Sequence, residues 1–211
     1  HNLIGRKNLV RPQFLLFGDW RTAVGNTVVD DDNEFSRAAT RLNLNANLDI
    51  TATERIFALF RPFEDDGQFT RHVFDRTVNG ADADNISEVE TSLEPVTLFF
   101  EGDIGNIWAG LSDRYNSIDL PFSVGRIPLF VQNGIWLDDA FDGAAFAIPA
   151  VSSTALDISN ADIAFYGGFH EIDTPAIPDS KDEASLLAVA AFVERREAYW
   201  ELDYGYVQDR K

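Results

Sequence analysis

The stretch RLNLNANLDI, residues 41–50, alternates without a break: Leu42, Leu44, Ala46, Leu48 and Ile50 take the even positions, and Arg41, Asn43, Asn45, Asn47 and Asp49 the odd ones. Side chains of an extended chain point alternately to opposite faces, so this is the period-two signature of a strand with one apolar and one polar face. A helix would scatter the same residues round its circumference. Two architectures accept such a strand. In a soluble sandwich the apolar face packs on a second sheet; in a transmembrane barrel it meets lipid while the polar face lines the lumen.

The pattern recurs. PQFLLFGDWRTAVG (12–25) sets Phe14, Leu16, Trp20 and Val24 against Asp19 and Arg21, and ERIFALFRPF (54–63) follows the opening stretch across a polar turn, Thr51 to Glu54. VTLFFEGDIG (96–105) opposes Val96, Leu98, Phe100 and Ile104 to Thr97, Glu101 and Asp103. FSVGRIPLFV (122–131), FDGAAFAIPAV (141–151) and ADIAFYGGFHEI (161–172) read as further strands, and AYWELDYGYVQ (198–208) gathers Trp200, Leu202, Tyr204 and Tyr206 on one face. SLLAVAAFVER (185–195) has helical propensity, yet its neighbours favour a strand. Acidic loops are expected between strands, at NTVVDDDNE (26–34), EDDGQ (64–68), NGADADNISEVE (79–90) and DTPAIPDSKDE (173–183). Long charged loops alternating with short turns suit a barrel with unlike ends.

Composition narrows the function. The 211 residues include 35 acidic and 17 basic ones, a formal charge of −18. Such a chain repels a phosphate backbone, so no nucleic-acid partner is expected. There is no cysteine, hence no disulfide, thiolate metal site or C-x-x-C-H haem attachment. The longest apolar run, ASLLAVAAFV (184–193), falls short of the roughly 20 residues of a membrane helix. No methionine occurs, so His1 is not a translational start, and the chain is read as part of a longer polypeptide.

Reactive groupings are scarce. Of the histidines His1, His72 and His170, the last opens HEIDT (170–174), which lacks the second histidine of a zincin motif. Serines have no G-x-S-x-G context, and no glycine-rich loop has phosphate-cradling spacing. DDDNE (30–34) and DADNISE (82–88) offer oxygen ligands for calcium but not the EF-hand pattern, so solvated loops are the preferred reading. No catalytic residue, metal site or cofactor is expected. The aromatic complement is 17 Phe, 4 Trp and 5 Tyr, and Trp20, Tyr199, Trp200, Tyr204 and Tyr206 sit near strand ends or crowd one strand, as in an interfacial girdle.

VGRIPLFVQNGIWLDDAFDGAAFAI (124–148) resembles the G-R-x-P-L, N/D-G, D-D, F-D-G pattern of Gram-negative outer-membrane porin-like barrels of the alginate-export type and their relatives. The matching positions are Gly125, Arg126, Pro128, Leu129, Asn133, Gly134, Asp138, Asp139, Phe141, Asp142 and Gly143. The resemblance implies an antiparallel barrel with a charged lumen, Arg126 projecting into the pore, and Asp138, Asp139 and Asp142 near its mouth. Transport of alginate itself does not carry over, because an anionic polymer requires a basic lumen.

The expected fold is therefore all-β, an antiparallel transmembrane β-barrel occupying residues 1–211 as one domain. About nine strands are legible, and single-chain bacterial barrels close with even numbers, so the chain is read as the N-terminal part of a larger barrel. The expected function is a passive outer-membrane channel, not an enzyme, passing small solutes or exporting a polymer. Its pore-lining residues would be Asp19, Arg21, Arg41, Asn43, Asn45, Asp49, Arg55, Arg61, Glu101, Asp103 and Arg126. Arg41, Arg55 and Arg61 would offer an anion track, while acidic loops at the mouth favour cations. Expected partners are membrane lipid and lipopolysaccharide, a small solute or polysaccharide, and a partner protein or further copies. Two alternatives stay open: a barrel sheathing a partner such as an electron-transfer cytochrome, and a soluble secreted β-sandwich binding carbohydrate or calcium.

Overall fold

A computed structural model describes residues 8–65, 67–131, 137–172 and 184–209. The elements are β1 (Gln13–Asp30), β2 (Asn33–Asp49), β3 (Arg55–Phe60), β4 (Glu64–Asp65), β5 (Gln68–Val78), β6 (Ala81–Ala83), β7 (Ile86–Glu88), β8 (Pro95–Asp103), α1 (Ile104–Ser112), β9 (Pro121–Val131), β10 (Leu137–Ser153), β11 (Ile158–His170), β12 (Ala184–Arg195) and β13 (Ala198–Asp209). The protein is all-β with an antiparallel sheet. Its hydrogen-bonded path runs β13-β12-β11-β10-β9-β8-β3-β2-β5-β4, with β1 on β2 and both β6 and β7 on β5. No pairing among the described residues returns β13 to the other end, so the sheet does not close into a barrel.

Two compact units interleave in sequence: one comprises His1–Phe14, Asn47–Phe57 and Thr97–Lys211, the other Leu15–Ala46 and Ala58–Val96. In the second, the acidic stretch at 26–34 is no loop. β1 continues to Asp30 and reverses through Asp31 and Asp32, where the Asp30 carboxylate accepts from the Asp32 amide at 3.0 Å and from Asn33 Nδ2 at 2.7 Å. Residues 79–90 hold β6 and β7, and β6 is reached through Asn79 and Gly80, both at positive φ as a tight hairpin demands. Of EDDGQ, Glu64 and Asp65 form β4 and Gln68 opens β5, with Glu64 paired to Phe69 and Asp65 to Gln68. DTPAIPDSKDE lies outside the described residues. β1 pairs only with β2 among the described strands, and Leu16, Phe17, Trp20, Val24, Val28 and Val29 are all exposed on it.

The other unit contains the β8 to β13 meander, and its register defines two faces, because directly opposed residues in an antiparallel pair share a face. One row runs Phe100, Val124, Ala144, Gly167, Leu187, Tyr206; the next runs Gly102, Phe122, Phe146, Phe165, Val189, Tyr204. A third holds Ile148, Ile163, Ala191 and Leu202. These rows are uncharged, and they stand open: Leu187 is 69% exposed, Leu202 60% and Tyr204 72%. The expected strand at 185–195 is present as β12, its neighbours having overridden helix propensity.

The opposite face is small and buried. Phe99, Gly125, Gly143, Gly168, Leu186 and Val207 form one row, and Glu101, Ser123, Ala145, Tyr166, Ala188 and Gly205 another. Phe141, Tyr166, Ile172, Ala184, Leu186 and Ala190 make its core. The Phe141 ring lies over the glycine row, so a Cβ on Gly168 would meet it at 2.5 Å and one on Gly143 at 2.8 Å. Gly125 adopts φ +126°, where its missing side chain avoids Leu98 O.

Helix α1, whose first two residues the sequence reading placed in the strand 96–105, is nucleated by Asp103. One carboxylate oxygen accepts from the Asn106 amide at 2.6 Å, and the other from the Leu120 amide at 2.8 Å, tying helix start to the chain entering β9. Gly105 permits the close pass of Ile118 O, 1.8 Å from where a Cβ would stand.

Candidate functional site

Polar side chains expected to share a lumen face fall into two clusters, one in each unit. In the β1–β2 unit, Arg21 Nε lies 2.6 Å from the Asp19 carboxylate, and Asn43 Nδ2 donates to both Asp19 oxygens at 3.1 and 3.2 Å. Arg41 and Arg61 converge on Glu64, each at 3.1 Å. Asn45 is half-buried on the same strand as Arg41 and Asn43. Odd-numbered residues of β1 and β2 thus meet, as alternation predicts, while Arg41 of β2 and Arg61 after β3 are joined through Glu64 of β4.

In the other unit Arg55 and Glu101 form an ion pair, and Asp49 accepts from Asn47 Nδ2 at 2.9 Å. Asp49, Arg55 and Glu101 line a polar pocket of about 700 Å³ together with Asn8, Arg11 and the Thr51–Glu54 turn. Sequence reading missed its fixed point. Glu54 is buried, and its carboxylate accepts from Asn8 Nδ2 at 2.7 Å, Thr53 Oγ1 at 2.7 Å and the Thr51 hydroxyl. The Glu54 amide in turn donates to Thr51 Oγ1 at 3.1 Å. Thr51-Ala52-Thr53-Glu54 has the S/T-x-x-E form of a capping box, so a signal existed, but a turn was the obvious reading of four polar residues before a strand. Gly102 leaves room for the chain: a Cβ there would approach Glu54 Cγ to 3.0 Å.

Two expected pore-lining residues stand elsewhere. Asp103 is buried and spends both oxygens on the α1 cap and Leu120, which makes it a structural carboxylate. Arg126 opposes Leu98 in register, whereas Glu101 opposes Ser123, so Arg126 occupies the face of Leu98 and not that of Glu101. There it meets Asp142 at 3.3 Å and Glu171 at 4.0 Å. A register shift between Gly143 and Asp142 brings His170 opposite Asp142, with Nδ1 3.1 Å from its Oδ2. This network borders the apolar rows. The side chains of Asp138 and Asp139, and all of Asn133 and Gly134, lie outside the described residues.

The arginines also differ electrostatically from expectation. Arg41 and Arg61 share Glu64, and Arg55 faces Glu101, so none presents an uncompensated charge from which an anion track could be built. Among the described residues, no group of three or more His, Asp or Glu side chains is placed to hold a metal ion. No helix among them is long and apolar enough to cross a membrane, which leaves crossing by strands untouched. Comparison with protein-family models, curated proteins and solved structures finds no match for this chain.

Proposed function

We propose that the chain builds part of the wall of an outer-membrane β-barrel channel of the porin-like kind, through which small polar solutes pass without covalent chemistry. The observation that carries this reading is the set of three uncharged, largely open rows laid across β8 to β13, opposite a buried face and bordered on their own face by the Arg126–Asp142–His170 network. A soluble sandwich reverses that order, with apolar residues between sheets and polar ones toward water. Contiguous exposed apolar rows mark an interaction surface, and strands of 18, 17 and 17 residues exceed the roughly 9–11 that cross a bilayer. The ion-paired residues Asp19, Arg21, Arg41, Arg55, Arg61 and Glu101 then belong to the water-filled side.

An open edge cannot remain bare in hydrocarbon, where each unsatisfied backbone group costs several kcal/mol. Further strands against β13 and β1, from the same polypeptide or another, complete the wall. The test is fractionation and electrophysiology on the intact polypeptide. It should sediment with outer membranes, migrate differently on gels before and after boiling, and give discrete conductance steps in planar bilayers. Protein that stays monodisperse in buffer without detergent overturns the proposal.

A further inference from the structure

Helix α1 contains no charged side chain, yet Ile104, Trp108 and Leu111 are all exposed on it. Spaced at i, i+4 and i+7, they form one stripe. Charge returns only at its borders, with Asp103 before the helix and Asp113 and Arg114 after it, and exposed Tyr115 and Ile118 extend the apolar surface toward β9. A stripe of this kind on a water-facing helix has no folding rationale.

What it adjoins supplies one. Ile104 and Leu120 line an apolar groove of about 660 Å³ together with Phe122, Phe146, Phe165 and Leu187 of the open sheet face. The stripe therefore meets the sheet face at Ile104. Within this unit α1 joins β8 to β9 at the strand ends where residues 196–197 join β12 to β13, so exposed Tyr199 and Trp200 sit at the same end of the strands.

We infer that α1 lies in the interfacial plane of the membrane and anchors this end of the wall, with Ile104, Trp108 and Leu111 among lipid acyl chains and the groove filled by a phospholipid chain. The inference rests on the barrel reading. Short uncharged stripes bind the headgroup–acyl boundary through buried apolar area, and indole rings favour that depth because they are amphipathic. Fixing the helix at Asp103 and Leu120 holds the stripe at a set height relative to the strands.

The test exploits the four tryptophans, Trp20, Trp108, Trp136 and Trp200. Two single-tryptophan versions of the intact polypeptide, one keeping Trp108 and one keeping Trp200 with every other tryptophan changed to Phe, are folded into palmitoyl-oleoyl phosphatidylcholine vesicles with or without bromine on the acyl chains. Heat-modifiable migration certifies folding. The expected result is blue-shifted emission from both and loss of intensity from both in brominated vesicles. Quenching of Trp200 with water-like, unquenched Trp108 overturns the anchor and leaves the barrel wall standing. Quenching of Trp108 alone overturns the wall and keeps a lipid-binding helix, and quenching of neither overturns both. Should either triple substitution fail to fold, W108F and W200F in the otherwise native chain read the same contributions as differences in quenching.

Discussion

Replacing Leu202 by arginine separates a membrane wall from a water-facing sheet. Leu202 is 60% exposed on β13 and stands in the row of Ile148, Ile163 and Ala191, with Trp200 and Tyr204 on either side along its strand and no charged residue in that row. In water the substitution desolvates little and belongs with surface changes, within about 0.5 kcal/mol of neutral. In the hydrocarbon the same arginine costs about 2–4 kcal/mol at the midplane, falling to about 0–1 kcal/mol at the interface that Trp200 marks. At about 1.4 kcal/mol per factor of ten, the midplane figure is a fall of roughly thirty- to several-hundred-fold in the folding equilibrium, and Leu202 should show a loss between these limits. Glu201→Arg, one residue away on the opposite face, supplies the control and should stay within about 0.5 kcal/mol. The assay is urea-dependent folding into phosphatidylcholine vesicles, followed by heat-modifiable migration. Equal urea midpoints for L202R and E201R refute the assignment of lipid to this face.

Phe141→Ala should cost about 3–5 kcal/mol, read from the denaturant midpoint, because the ring is fully buried over two glycines that leave no atoms to fill the gap. Glu54→Ala should cost about 1–3 kcal/mol on the same measurement by stranding the buried Asn8 amide and the Thr51 and Thr53 hydroxyls. Removing Arg55 and Glu101 singly and together should give a stability coupling below about 1 kcal/mol, since both are partly exposed, while single-channel conductance changes more than stability does. Neutralising Asp30, Asp31 and Asp32 should shift the reversal potential toward anions at low salt and lose its effect near 1 M, where the Debye length is about 3 Å; a shift independent of salt counts against long-range field control.

Strands with clean alternation were legible, and those whose backbone breaks it were not. β5 escaped because Asp75 has positive φ and the β2–β5 register slips between Glu34 and Ser36, so its apolar residues change face midway. The β1–β2 turn was read as a long acidic loop because Asp30, Asp31 and Asp32 carry a composition that normally marks solvent; here one aspartate folds back on the turn itself. Helix α1 was hidden by Asp103, whose place in the alternation imitates a lumen residue although its chemistry is that of a cap. The site was half visible for the same reason. Periodicity puts Asp19, Arg21, Arg41 and Asn43 on one side of their strands, but it carries no information about the register between β8 and β9 that moves Arg126 to the face of Leu98, nor about Glu54, which becomes a fixed point only when Asn8 arrives from far along the chain.

The seat of Phe141 over Gly143 and Gly168 also bears on how this sequence can vary. Each glycine is occupied space as far as the ring is concerned, so an alanine at 168 is excluded while the phenylalanine remains, and a smaller residue at 141 leaves a void while the glycines remain. Either change alone lowers fitness for folding, yet in the pair the clash is gone and the added methyl fills part of the void. Positions 141 and 168 are thus locked by sign epistasis: among divergent copies of this sheet, the aromatic and the glycine should be kept together or lost together, with the single-change intermediates rare.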